Sequence, residues 1–144
     1  LFNQTELLLA GKGSEELVDN LQKEMSLKNI KTTGTVDDIK PFIASAKASI
    51  IPLWQGSGSR LKCIEAMALK TQIISTSLGA EGIKHEGTIL LADNAIDFQN
   101  SILQVLNNQT DYTIKAFEIC KKQYSLDAIL ISLDKIIKNL LEDS

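Results

Sequence analysis

Apolar positions along the chain fall into two rhythms, short continuous runs and longer stripes at helical spacing, and the two alternate from one end to the other. Glu6 to Ala10 is a run that ends in Gly11-Lys12-Gly13, which suits a buried parallel strand followed by a turn. Ser14 with Glu15 and Glu16 then reads as an N-cap and an acidic first turn, and Leu17, Val18, Leu21 and Met25 carry a helix to about Leu27. Ile30 to Val36 is a threonine-rich strand, after which Asp37 or Asp38 caps a helix with Pro41 in its first turn. Ala48 to Leu53, Gln72 to Thr76 and Thr88 to Ala92 are further buried strands. From Ala95 the rhythm is helical: Phe98, Ile102, Val105 and Leu106 form one stripe, and Ile114, Phe117, Ile119 and Cys120 part of a second, divided by Asn107-Asn108-Gln109. A last helix from about Leu126 carries Ile129, Leu130, Leu133, Ile136, Ile137 and Leu140 in a wide stripe. Strands alternating with helices predict an α/β fold, a doubly wound parallel sheet covered on both faces, with ligand at the carboxyl ends of the strands.

The stretch from Gln55 to Leu69 breaks the pattern in a way that points to chemistry. Gly56-Ser57-Gly58-Ser59 follows an apolar strand and precedes a helix, so backbone N–H groups converge on an anion beside the helix's positive end. Phosphate is the natural guest, and Arg60 and Lys62 add positive charge at the same place. At about 100° per residue Leu61, Ile64, Ala68 and Leu69 share one arc of this helix, and Glu65 falls inside it. A carboxylate on that arc needs a protein donor or the hydroxyls of a ligand. Loop and carboxylate together suggest one molecule bearing both phosphate and hydroxyls.

Composition narrows the classes. With 144 residues and 44% hydrophobic content, one core and one domain over residues 1–144 are expected. A net charge of −3 and the lack of a basic stripe with interleaved aromatics argue against nucleic acid as partner. Cys63 and Cys120 are far apart in sequence, which fits free thiols in a reducing compartment and neither a zinc site nor a disulfide framework. No acid or histidine cluster has metal-ligand spacing, so no metal and no cofactor are expected. No apolar run is long enough to span a bilayer. His85, the single histidine, lies in a polar KHEG loop and reads as solvated. Lys12 reads as a solvated turn residue, and Trp54 as a cover for the core edge that could alternatively stack on a ligand. Glu81, in the turn Ser77-Leu78-Gly79-Ala80-Glu81-Gly82, either caps a short helix or lies beside the ligand.

GSGSRLKCIEAMAL followed by IISTSLGAEGI resembles the donor-binding half of the retaining, nucleotide-sugar-dependent glycosyltransferases of the group 1 type, which have the GT-B fold. The segments LLLAGKG, TTGTVDDIKPFIASAKASIIPL and ILLADNAIDFQNSI fit the same family in order and spacing. The resemblance implies that Glu65 binds the ribose hydroxyls of the nucleotide. It also implies that backbone groups from Ser57 to Leu61, with Gly56 before them, hold the diphosphate and sugar, and that backbone near Val36 meets the nucleobase. Arg60 would then offset charge on the leaving diphosphate, an electrostatic catalytic role without proton transfer. Two positions depart from the family: Ser57 stands where many members have a second Glu, and Lys70 where a Gly usually ends the helix, so a slightly altered turn is expected there.

The resemblance further implies a nucleotide-diphosphate sugar as substrate and a glycan or lipid-linked saccharide as acceptor. The acceptor would be bound by an N-terminal domain that lies upstream, as would the family's first strand–helix unit. Placement in the cytoplasm, at the inner face of the membrane with peripheral contact, follows from the same resemblance. The last helix packs on this domain's sheet or, as in GT-B enzymes, crosses to the other domain. The competing readings are a non-catalytic nucleotide-sugar-binding module, which Ser57 favours, and a nucleotide-sugar epimerase, which would need more acids and histidines than the crevice has. No pair of carboxylates with the spacing a glycoside hydrolase needs is visible.

Overall fold

The structure, a computed structural model, describes residues 5–25, 29–56 and 60–142. The chain divides into two compact units, Leu1–Pro41 and Phe42–Ser144, each considered by itself. In the first, β1 (Leu7–Ala10) pairs in parallel with β2 (Ile30–Gly34), Leu7 opposite Ile30 and Leu9 opposite Thr32, and α1 (Ser14–Met25) connects them. Val18 and Ile30 are buried between helix and strands. The expectation that β1 is buried is corrected: Leu7 and Leu8 are exposed, because among the described residues the strand has one neighbour and one covering helix. Ser14 opens α1, but its hydroxyl donates to Gly11 O and pairs with Thr32 instead of capping the helix. Asp38 settles the choice of cap for α2 (Lys40–Ser45), since its carboxylate accepts from Lys40 N at 3.0 Å.

The second unit holds a three-stranded parallel sheet in the order β3 (Ala48–Ile51), β4 (Gln72–Ser75), β5 (Ile89–Leu91). Its register sets Ile50 opposite Ile74 opposite Leu90. All four residues of β4 are buried, as the continuous apolar run requires of a strand covered on both faces. Successive side chains of β4 serve opposite layers. Ile73 joins Cys63, Ala66 and Met67 of α3 (Leu61–Ala68) and Ala116, Ile119 and Cys120 of α5 (Thr113–Tyr124). Ile74 joins Val105 of α4 (Ala95–Leu106), with Phe98 and Ile102 packed beside them. The α/β class with parallel strands and helices on both sheet faces is therefore as the sequence predicts.

Asn94 caps α4 by accepting from Ile96 N and Asp97 N, so the ILLADN segment ends a strand and starts a helix within a few residues. The final helix, α6 (Leu126–Glu142), packs against α5. Leu130, Leu133, Ile136 and Leu140 are each half exposed or more.

Candidate functional site

At the carboxyl end of β3 the chain passes through Pro52, Leu53, Trp54 and Gln55 to Gly56, whose φ of 128° is open only to glycine. Ser57, Gly58 and Ser59 lie outside the described residues, so the sites proposed on them are not placed. The chain resumes at Arg60, which stands at the N-cap of α3 without any side-chain cap. Cys63 N and Ile64 N donate to Arg60 O, and the amides of Leu61 and Lys62 are left without an acceptor among the described residues. These orphan donors open on a cavity of about 390 Å3 lined by Ile51, Pro52, Leu53, Arg60, Lys62 and Gly79. The wall is apolar on the strand side and cationic on the helix side.

Arg60 does not extend into solvent. Its Nε donates to Leu78 O at 2.8 Å and its Nη2 lies 3.2 Å from a Glu81 carboxylate oxygen. Glu81 thus neither caps a helix nor stands apart. The turn after β4 is bound to the start of α3 through one guanidinium. The same turn is fixed from beneath: Thr76 Oγ1 donates to Leu53 O at 2.7 Å and accepts from Gly79 N at 3.0 Å, while Cys63 Sγ donates to Gly79 O. A methyl group at Gly79 would overlap Ser75 Oγ and press on Ile51 O and Thr76 Oγ1 at 3.1 Å, so this close approach requires glycine. From β5, the Asp93 carboxylate accepts from Ser77 Oγ at 2.6 Å and from Ser77 N at 2.7 Å. Those bonds hold the Asp93 carboxyl below its ordinary range, the hydroxyl contributing most. Burial pushes the Cys63 thiol up, against a hydrogen bond from Ser75 and the charge of Arg60, so Cys63 is a protonated packing residue.

Glu65 sits one turn into α3, and here the helical arc read from the sequence is corrected. The buried seam is Cys63, Ala66 and Met67, while Leu61, Ala68 and Glu65 are exposed. Two stripes compete at i, i+3, i+4 spacing in this helix, and the one that faces the core sets small Cys63 and Ala66 beside Met67 against the sheet and α5, with Ile64 at its margin. Cys120 Sγ, facing Ile64 O at 3.7 Å, marks that contact. The Glu65 carboxylate makes no hydrogen bond or ion pair among the described residues. It is exposed and open to a ligand.

The other sequence candidates fall as follows. Gly56, Arg60, Leu61 and Glu65 all lie in the second unit; Val36, half-buried just beyond β2, lies in the first. Lys12 is exposed in its turn. Trp54 covers less of the core than expected, being 55% exposed, with its ring edge-on to Phe98 at 6.1 Å. His85 is half-buried, its Nδ1 without a partner and its carbonyl accepting from both Thr88 N and Thr88 Oγ1. Among the described residues no three His, Cys, Asp or Glu side chains gather as a metal would need. Nor is any of their helices long and apolar enough to cross a membrane. The sequence reading missed the pairing of Arg60 with Glu81. Its one trace is an acid placed in a strand-end turn, where the crevice had to be cationic.

Comparison with known proteins agrees with this geometry. Residues 2–108 match the family model described as glycosyl transferases group 1, a span that contains both sheets and the whole α3 crevice. The chain is 23% identical, over 90% of its length, to an uncharacterized 44.6 kDa protein in the cps region of Klebsiella pneumoniae. It spans 36% of that relative's length. With parallel strands whose carboxyl ends meet an uncapped helix, and a family match over most of the sequence, the chain belongs to the group 1 glycosyl transferases.

Proposed function

We propose that this chain binds the donor of a retaining glycosyl transfer, a nucleotide-diphosphate sugar whose sugar passes to a glycan or lipid-linked acceptor. The observation that carries this reading is the uncapped amino end of α3, opening on the cavity at the carboxyl ends of β3 and β4, with Glu65 exposed one turn further along. The amides of Leu61 and Lys62, the Lys62 ammonium and the Arg60 guanidinium receive the diphosphate. Glu65 accepts from the ribose hydroxyls.

As the bond between the anomeric carbon and the phosphate oxygen breaks, charge grows on the leaving nucleoside diphosphate. Fixed donors that bind this charge more tightly than the intact donor lower the barrier, and no group on the protein has to move a proton at that oxygen. The oxygen of the acceptor's own hydroxyl forms the new bond to the anomeric carbon as the old one breaks, and the hydroxyl proton passes to the departing diphosphate. The relative's place in a cps region supports a polysaccharide as the product. The setting that fits lipid-linked acceptors is the cytoplasmic face of a membrane, with peripheral contact.

Calorimetric titration with UDP, GDP, ADP and their sugar conjugates tests the reading. One nucleotide should bind, and Glu65→Ala should weaken it by about 1.5–3 kcal/mol, the range for a hydrogen bond to a charged group, at an unchanged melting temperature. A variant that binds as tightly and melts much earlier would show Glu65 to be a structural carboxylate and remove the site.

A further inference from the structure

The Arg60–Glu81 pair is unequal in a way that bears on how the crevice takes its ligand. The Arg60 side chain is only 9% exposed, and its head is oriented by the bond from Nε to Leu78 O. A guanidinium this deep cannot be left without an opposite charge, and it cannot swing out to water without losing that carbonyl. The Glu81 side chain is 68% exposed and touches Arg60 through one oxygen at 3.2 Å. Most of its side chain is in water already. The cation is fixed and the anion can leave.

We propose that Glu81 is the resident counter-ion of Arg60, and that a diphosphate entering the cavity takes its place on the guanidinium. This deepens the donor-binding reading above and rests on it. The cavity is lined by Arg60, Leu61 and Lys62 together, so an incoming diphosphate meets the fork, the free amides and a second cation at once. Glu81 offers one exposed carboxylate against that set, and a diphosphate offers more charge and several oxygens with the right spread for a planar fork. Once displaced, the carboxylate is rehydrated at little cost because most of it is already solvated. The exchange also selects. A neutral sugar or nucleoside supplies nothing that can replace Glu81, so the crevice stays self-neutralised until a dianionic ligand arrives. A permanent staple would behave differently, since it would require Glu81 to stay in place for the turn to keep its shape.

The test is calorimetric titration of the protein with UDP, GDP and ADP, comparing the wild type with Glu81→Gln and with Glu118→Gln. Glu118 is an exposed acid on α5, and its substitution removes the same charge away from the crevice. Exchange predicts that Glu81→Gln binds the preferred nucleotide about two- to fivefold more tightly, the scale of one exposed ion pair, while Glu118→Gln binds as the wild type does. Unchanged or weaker binding by Glu81→Gln, with the wild type still binding and Glu65→Ala still defective, overturns the exchange and leaves the donor reading standing. An equal gain in Glu118→Gln overturns it as well, because the effect is then one of net charge. If none of the three proteins binds any of the nucleotides, the exchange and the donor reading fall together.

Discussion

Single residues at the end of β4 carry more of the site than their size suggests. Gly79 is the clearest, because a β-carbon there meets Ser75 Oγ, Ile51 O and Thr76 Oγ1, of which one is backbone and the others are already hydrogen-bonded. Gly79→Ala should cost about 1–3 kcal/mol in urea denaturation, the usual range for overpacking a filled interior. Adding Ser75→Ala should recover part of the loss by removing the closest atom; a single mutant as stable as the wild type would refute the contact. Asp93 makes a prediction about pH. Its folded carboxyl is held below its unfolded value by Ser77, so the folded state binds fewer protons than the unfolded chain. The stabilisation is therefore present above the unfolded value of about 3.9 and is lost as pH falls through the lower folded value. Melting temperatures should show Asp93→Asn below the wild type at neutral pH, with the gap closing under acid. A gap that stays constant into acid would mean that the Asp93 charge does not fix Ser77.

At the scale of elements, the strands and helices were legible because each carries one dominant rhythm. β4 reads as a buried run and is buried throughout, and the helical rhythm from Ala95 coincides with the start of α4. Legibility failed where two patterns competed or where the outcome depended on neighbours. In α3 the Leu61, Ile64, Ala68 and Leu69 arc looked the more apolar, yet Cys63, Ala66 and Met67 face the core, with Ile64 only partly buried beside them. That rotation leaves Glu65 in the open, so the partner that burial would have demanded of its carboxylate is not required. The end of α3 is a second instance. The turn is not altered by Lys70; the lysine itself takes φ 56°, and Thr71 N reaches Ala66 O at 2.9 Å as a glycine-ended helix would arrange. Its ammonium lies 4.5 Å from the centre of the Phe117 ring, an attraction that offsets part of the cost of a left-handed lysine. Lys70→Ala should therefore destabilise by roughly 0.5–1 kcal/mol, since it keeps the strained backbone and loses the ring contact. Lys70→Gly should be no less stable than the wild type. Equal effects from the two substitutions in thermal denaturation would dismiss this account.

Stability is unevenly placed among the elements, and the candidate site is built on the best-covered strand. β4 is paired on both sides and covered by α3 and α5 on one face and α4 on the other. The turn from Ser77 to Gly82 leaves that strand directly, so the carbonyl that orients Arg60 is anchored to the most protected backbone of the second unit. β1 has a single strand neighbour and exposed leucines, and α6 rests on α5 with most of its apolar stripe uncovered. Local opening follows such differences in burial, with well-covered strands exchanging their amides only through global unfolding and thinly covered elements through small excursions. Native-state hydrogen exchange should find the amides of Ile73, Ile74 and Ser75 among the slowest in the chain, and those of β1 and α6 far faster. Ligand should slow exchange in the turn from Ser77 to Gly82 and leave α6 as it was. Protection of α6 equal to that of β4 would mean that its apolar stripe is covered in solution, and the gradient of stability argued from burial would not hold.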